Sequence, residues 1–150
     1  MEQIVQKGLQ KDIDYESTYA LENERKEFKK DMGWFGKYCF PTALAKDTPE
    51  FHRDIYKELK DEETKRVLIA APRGTAKSTV CSLIFPLYKI AHKKETEDLF
   101  IVIVSESQAQ SINFLSRIKY HLEHSDNFRH IFGDFSSKTA RRWTNTDVVL

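Results

Sequence analysis

Apolar residues along this chain fall into two patterns. In the first they recur at steps of three and four. Phe51, Ile55, Tyr56 and Leu59 do so, which predicts a helix over residues 49–60. Thr48 suits its cap and Pro49 its first turn. Ile112, Leu115, Ile118 and Leu122 line one face of another helix, and Ser105 and Gln108 before it have capping-box spacing. A charged helix is predicted over 16–30, ended by Asp31-Met32-Gly33, and a short one over 126–132, ended by Gly133. Between the first two helices lies an aromatic-rich stretch, Trp34 to Phe40, closed by Pro41.

The second pattern is the unbroken apolar run. Residues 66–71 (Arg-Val-Leu-Ile-Ala-Ala) and 99–104 (Leu-Phe-Ile-Val-Ile-Val) are too short for helices and read as strands buried on both faces. A helix over 77–92, kinked at Pro86, is predicted between them. Residues 147–150 read as another strand. Strand, helix, strand, helix implies an α/β fold on a parallel sheet. The division expected is a helical segment over 1–47 and an α/β domain over 48–150.

Composition narrows the function. The 150 residues are 40% hydrophobic and 31% charged, enough to bury a core and stay dispersed. Twenty-four Lys and Arg against 23 Asp and Glu leave a net charge of +1, which excludes a basic tail or an acidic solvating domain. A local basic face remains compatible with nucleic-acid binding. No apolar run is long enough for a membrane span, and Met1-Glu2-Gln3 lacks the basic and apolar regions of a secretory leader. Cys39 and Cys81 stand alone, so neither a disulfide framework nor a zinc knuckle is expected, and a reducing cytosol is the default.

The sharpest chemical signal joins the first apolar run to the helix after it: Ala71-Pro72-Arg73-Gly74-Thr75-Ala76-Lys77-Ser78-Thr79. A phosphate loop reads G-x-x-x-x-G-K-[ST]. Lys77 and Ser78 take the lysine and hydroxyl positions, while alanine replaces both glycines, at Ala71 and Ala76. The chemistry needs small residues, a tight turn and backbone N–H groups aimed at phosphate oxygens. Alanine is small, Gly74 lies inside the loop, and a helix starting near Lys77 points its positive end at an anion. In this reading Lys77 neutralises the β- and γ-phosphates and Ser78 holds Mg²⁺. The alternative is a small-residue turn with a surface lysine.

Pro72 to Thr79 resembles the variant Walker A motif of the large terminase subunits of tailed bacteriophages, which often carry an arginine in the loop and accept alanine before the lysine. Three further stretches are similar to that family in order and spacing. Glu50-Phe51-His52-Arg53-Asp54-Ile55 stands where the adenine-side motif lies. Residues 101–109 resemble the second strand and following helix start. Residues 143–150 resemble the tryptophan-then-strand segment ahead of Walker B. The resemblance covers roughly residues 35–150.

It implies a three-layer P-loop NTPase of the additional-strand type, with a parallel sheet core after a helical N-terminal segment. It also implies an ATP-driven motor that packages viral DNA into a procapsid, with ATP and Mg²⁺ as cofactors. Pro72, Arg73, Gly74, Thr75, Ala76, Lys77, Ser78 and Thr79 would hold the nucleotide, with Lys77 and Arg73 catalytic. Arg73 would touch the γ-phosphate from the same subunit. His52 would stand at the adenine edge, where related ATPases often have glutamine; a histidine packed under the loop is the alternative. The partners implied are double-stranded viral DNA, the portal protein, the small terminase subunit and further copies in a ring. The place implied is the host cytoplasm, with docking at the procapsid and no membrane.

Walker B, the coupling motif and the nuclease carboxylates are not among these residues and are expected beyond 150. The chain alone is therefore expected to bind nucleotide weakly and not to hydrolyse it, and its strands would lack central neighbours. Two other functions fit the same residues: a helicase-like translocase without a nuclease, and a non-hydrolysing assembly module with a degenerate loop.

Other residues have weaker readings. Tyr38, Phe40 and Pro41 could stack on adenine or serve as core. Arg141-Arg142-Trp143 combines charge with an aromatic, as nucleic-acid grips do, or packs. Ser105, Ser107 and Gln108 could meet a ligand at a strand end, but capping explains Ser105 and Gln108.

Overall fold

Helices carry almost all of the regular structure. The computed structural model describes residues 17–45, 48–64, 66–94, 96 and 98–150. Residues 17–30 form α1; its expected start at Glu16 lies outside the described residues. Helix α2, Met32–Cys39, follows after one residue, because Asp31 accepts a hydrogen bond from the Trp34 N–H at 2.9 Å and so caps a new helix. The aromatic stretch is therefore helical, and Gly33 lies inside α2 rather than ending α1. A Cβ on Gly33 would stand 2.9 Å from the Tyr56 ring, so glycine here permits close packing of α3, Glu50–Lys60. Pro49 precedes α3 as its cap residue, and Thr48 does not cap it.

The helical stretch after the loop has three parts: α4 Lys77–Thr79, a π-helical turn Val80–Ile84, and α5 Phe85–Ala91. Pro86 was expected to kink this helix. It sits in the first turn of α5, directly after the π turn. Proline has no N–H and its ring crowds the carbonyl four residues back, and a wider turn relieves that crowding. Helix α6, Gln108–His124, is capped by Ser107, whose Oγ accepts from the Gln110 N–H at 3.3 Å. Ser105 is not the cap; its hydroxyl bonds the Gln110 side chain. Helix α7, Asp126–Phe132, ends at Gly133, where φ is +98°.

The core is aromatic. Phe35 is fully buried in α2, with ring centroids at 5.5 Å from Tyr88, 5.6 Å from Phe40, 5.8 Å from Phe132 and 6.4 Å from Phe128. Val80, Leu83, Ile84 and Leu87 from the π turn and α5, and Ile118 and Leu122 from α6, close around it. Residues on both sides of position 48 thus share one cluster.

The parallel sheet expected from the two apolar runs is absent. The one ladder among the described residues is a hairpin of β1, Arg142–Trp143, and β2, Val148–Val149, pairing antiparallel with Arg142 opposite Val149. Residues 66–71 and 98–104 form neither helix nor ladder. Leu68 is 96% exposed, Phe100 88% and Val104 86%. An apolar run is buried only where a partner surface exists. Here the helices fill the interior with their own aromatics, and only Ile103 of these two runs packs against it. The three-layer P-loop architecture thus does not describe this structure. No helix among the described residues is long and apolar enough to cross a membrane.

Candidate phosphate-binding loop

The stretch from Pro72 to Thr79 forms a turn that leads into α4, without the expected sheet before it. Gly74 has φ +81° and Ala76 has φ +55°, ψ +17°. Both lie in the left-handed region, which costs a residue with a Cβ about 1–2 kcal/mol. Ala76 is the only described non-glycine residue with positive φ. It occupies the place before the lysine where the phosphate-loop pattern asks for glycine. The backbone therefore adopts the glycine conformation even though the side chain opposes it. Strain of this kind persists only where the surroundings enforce it.

Three hydrogen bonds do the enforcing. Thr75 Oγ1 donates to the Pro72 carbonyl at 2.8 Å, and Lys77 Nζ donates to the same oxygen at 3.1 Å. From outside the loop, His52 Nε2 meets the Thr75 carbonyl at 2.6 Å. Helical bonding begins at once, with the Val80 N–H donating to the Ala76 carbonyl at 3.0 Å. The Lys77 ammonium is folded over the mouth of its own loop.

No family model, no curated protein and no solved structure matches the chain.

The other loop residues are placed as follows. Pro72, Arg73, Gly74 and Ser78 are exposed, and Thr75, Lys77 and Thr79 are half-buried. Arg73 makes no ion pair among the described residues. His52 is buried on α3, with its ring 4.5 Å from Phe51 and 6.1 Å from Tyr56. Its place is beneath the loop, the alternative the sequence had left open. Tyr56, one turn further on, buries a hydroxyl with no hydrogen-bond partner. Burial, then the Asp31 carboxylate and Cys81, push that phenol up to about 12. Burial likewise pushes the Cys39 thiol up to about 12, which leaves it inert as a nucleophile.

Of the weaker candidates, Phe40 and Trp143 pack against the core, whereas Tyr38, Pro41, Arg141 and Arg142 are exposed. Phe40 is core, 5.5 Å from Phe128 and 5.1 Å from His121, and does not form an adenine platform. Arg142 pairs with Asp147 at 2.8 Å. Trp143 packs against the core, with Lys119 Nζ 5.2 Å from its ring centre. That lysine also donates to the Thr144 carbonyl at 3.0 Å, which ties the hairpin to α6. Two open grooves lie elsewhere. One of about 510 Å³ is lined by Asn23, Lys26, Glu27, Lys29 and Lys30, and one of about 530 Å³ by Asn113, Ser116, Arg117, Tyr120 and His121. Neither touches the loop. No cluster of three His, Cys, Asp or Glu side chains suited to a metal occurs among the described residues.

Proposed function

We propose that Pro72–Thr79 is a triphosphate-binding loop of the Walker A type, in an ATP-driven motor similar to the large terminase subunits. The observation that carries this reading is the left-handed Ala76 directly before Lys77. A turn that only connected two segments has no need to hold alanine in that conformation. The strain does have a use if successive N–H groups must converge on an anion. Lys77 leaves the Pro72 carbonyl and binds the β- and γ-phosphates. Arg73 meets charge that grows on the γ-phosphate in the transition state.

The Ser78 hydroxyl is exposed at the start of α4 and suits a Mg²⁺ ion carried in by the nucleotide. Ser78 is the loop residue that would hold this ion, and no cluster of three His, Cys, Asp or Glu side chains occurs among the described residues to add to it. Bound Mg²⁺ would neutralise charge on the phosphate oxygens. On this reading the motor acts on double-stranded viral DNA with the portal protein and small terminase subunit, as a ring in the host cytoplasm. Hydrolysis then requires a carboxylate that positions water, which this loop does not supply.

The test is a titration of the chain with MgATP alongside its Lys77→Ala variant. Saturable binding that the variant loses supports the reading; equal binding by a folded variant overturns it. In the hydrolysing motor the same substitution abolishes ATP turnover and DNA translocation.

A further inference from the structure

His52 was expected at the adenine edge, but its ring points into the protein and ends on the backbone of the phosphate loop. We infer that His52 is a positioning residue that holds the loop in its anion-binding shape through Thr75, and that it does not read the base. The inference rests on the phosphate-loop reading above.

The tautomer follows from the bond. A carbonyl oxygen only accepts, so at 2.6 Å from the Thr75 oxygen the His52 Nε2 must carry the hydrogen. In the neutral ring Nδ1 is then an acceptor. The side chain is buried between Phe51 and Tyr56. His52 and Tyr56 are four residues apart on α3 and share one face. The Tyr56 ring sits against Gly33 of α2, so the bond to Thr75 is anchored in the core.

The geometry of the peptide gives the bond its effect. In a trans peptide the C=O and the following N–H point in opposite directions. Holding the Thr75 carbonyl down onto α3 therefore turns the Ala76 N–H away from α3. Ala76 is exposed and left-handed, two residues after left-handed Gly74, a backbone in which successive N–H groups can be turned toward one anion. Without the bond, that peptide plane is free to turn over, and Ala76 is free to leave its strained conformation. His52 thus contributes to phosphate binding without touching phosphate. Any base is accepted equally as far as this side chain is concerned.

The experiment compares the full chain with His52→Phe, His52→Gln and Lys77→Ala, titrated with MgATP, MgGTP and inorganic pyrophosphate. Thermal melts check that each variant is folded. His52→Phe keeps a ring without a donor and is expected to weaken all three ligands by the same factor, about tenfold, the worth of one hydrogen bond. His52→Gln returns an N–H to the Nε2 position and is expected to recover most of that loss. An ATP-to-GTP ratio that changes in either variant makes His52 a base reader and overturns the inference, as does wild-type affinity in His52→Phe. Lys77→Ala reports separately on the loop: if it binds like wild type, the phosphate-loop reading fails. A long-range ¹H–¹⁵N spectrum of the unliganded protein tests the bond without nucleotide. The Nε2–H tautomer is expected, and the Nδ1–H tautomer overturns the inference.

Discussion

Ala76 carries its strain at a cost that can be recovered. Its φ of +55° is one that glycine adopts freely and alanine does not. Ala76→Gly is expected to stabilise the chain by about 0.5–1 kcal/mol, the relief of strain less the greater freedom of glycine in the unfolded chain. Urea denaturation measures it, and a lower midpoint would mean that the left-handed conformation carries no strain. His92 sets a second, opposite term. Its ring lies against Tyr88 at 4.6 Å, Phe132 at 5.2 Å and Phe35 at 5.8 Å, with Nε2 buried and unpaired. Burial, then the charges of Lys29, Lys60 and Arg25, lower its pKa to about 4 from 6.5. Above pH 6.5 the ring is neutral in both folded and unfolded chains and adds nothing. Between pH 6.5 and 4 the unfolded chain takes up a proton that the folded one resists, so stability falls with pH. Solvent access to the half-buried ring limits the loss to about 1–2 kcal/mol. His92→Phe should lose less stability than wild type between pH 7 and pH 4.5; an identical loss would remove His92 from the account.

At the scale of elements, Ser125 joins two helices. Its Oγ accepts from the Phe128 N–H at 3.2 Å as the cap of α7, and donates to the Cys39 carbonyl at the end of α2 at 2.5 Å. Ser125→Ala removes both and should cost about 1–2 kcal/mol in a denaturant titration; a neutral result would leave the α2–α7 junction to aromatic packing alone. Helices such as α3 and α6 were legible because their apolar spacing is that of a half-buried helix, and α7 because Gly133 ends it. Helix α2 was not legible. Gly33 and Gly36 look like breakers in a sequence, and only the folded contacts, the Tyr56 ring on Gly33 and Leu44 and Ile84 on Gly36, show that these glycines permit close packing. The runs at 66–71 and 99–104 misled for a different reason. A short apolar run shows that a segment suits burial, but not that a partner exists to bury it. In the loop, Lys77 and the small residues were readable, whereas the role of His52 depends on a fold contact across 23 residues.

For the molecule as a whole, the exposed side chains of Leu68, Phe100, Val102 and Val104 are the main liability. Apolar segments with unpaired backbone groups invite association with their like. The chain should therefore self-associate as its concentration rises in sedimentation experiments. Leu68→Ser with Phe100→Ser should reduce this with a change in stability within about 0.5 kcal/mol, since both side chains are already in water. Unchanged association would place the contact on another surface. The same exposure fits a chain whose core is helical and whose loop stands apart from any sheet.

If residues 72–79 bind phosphate, their backbone amides must respond to it. A ¹H–¹⁵N titration of the labelled chain with MgATP tests it most directly, followed by one with inorganic pyrophosphate. The amides of Gly74, Thr75, Ala76, Lys77 and Ser78 are expected to shift first and furthest with both ligands, and Lys77→Ala to lose the response. Shifts confined to the lysine-lined groove on α1, or no saturable shift in the loop, would contradict it.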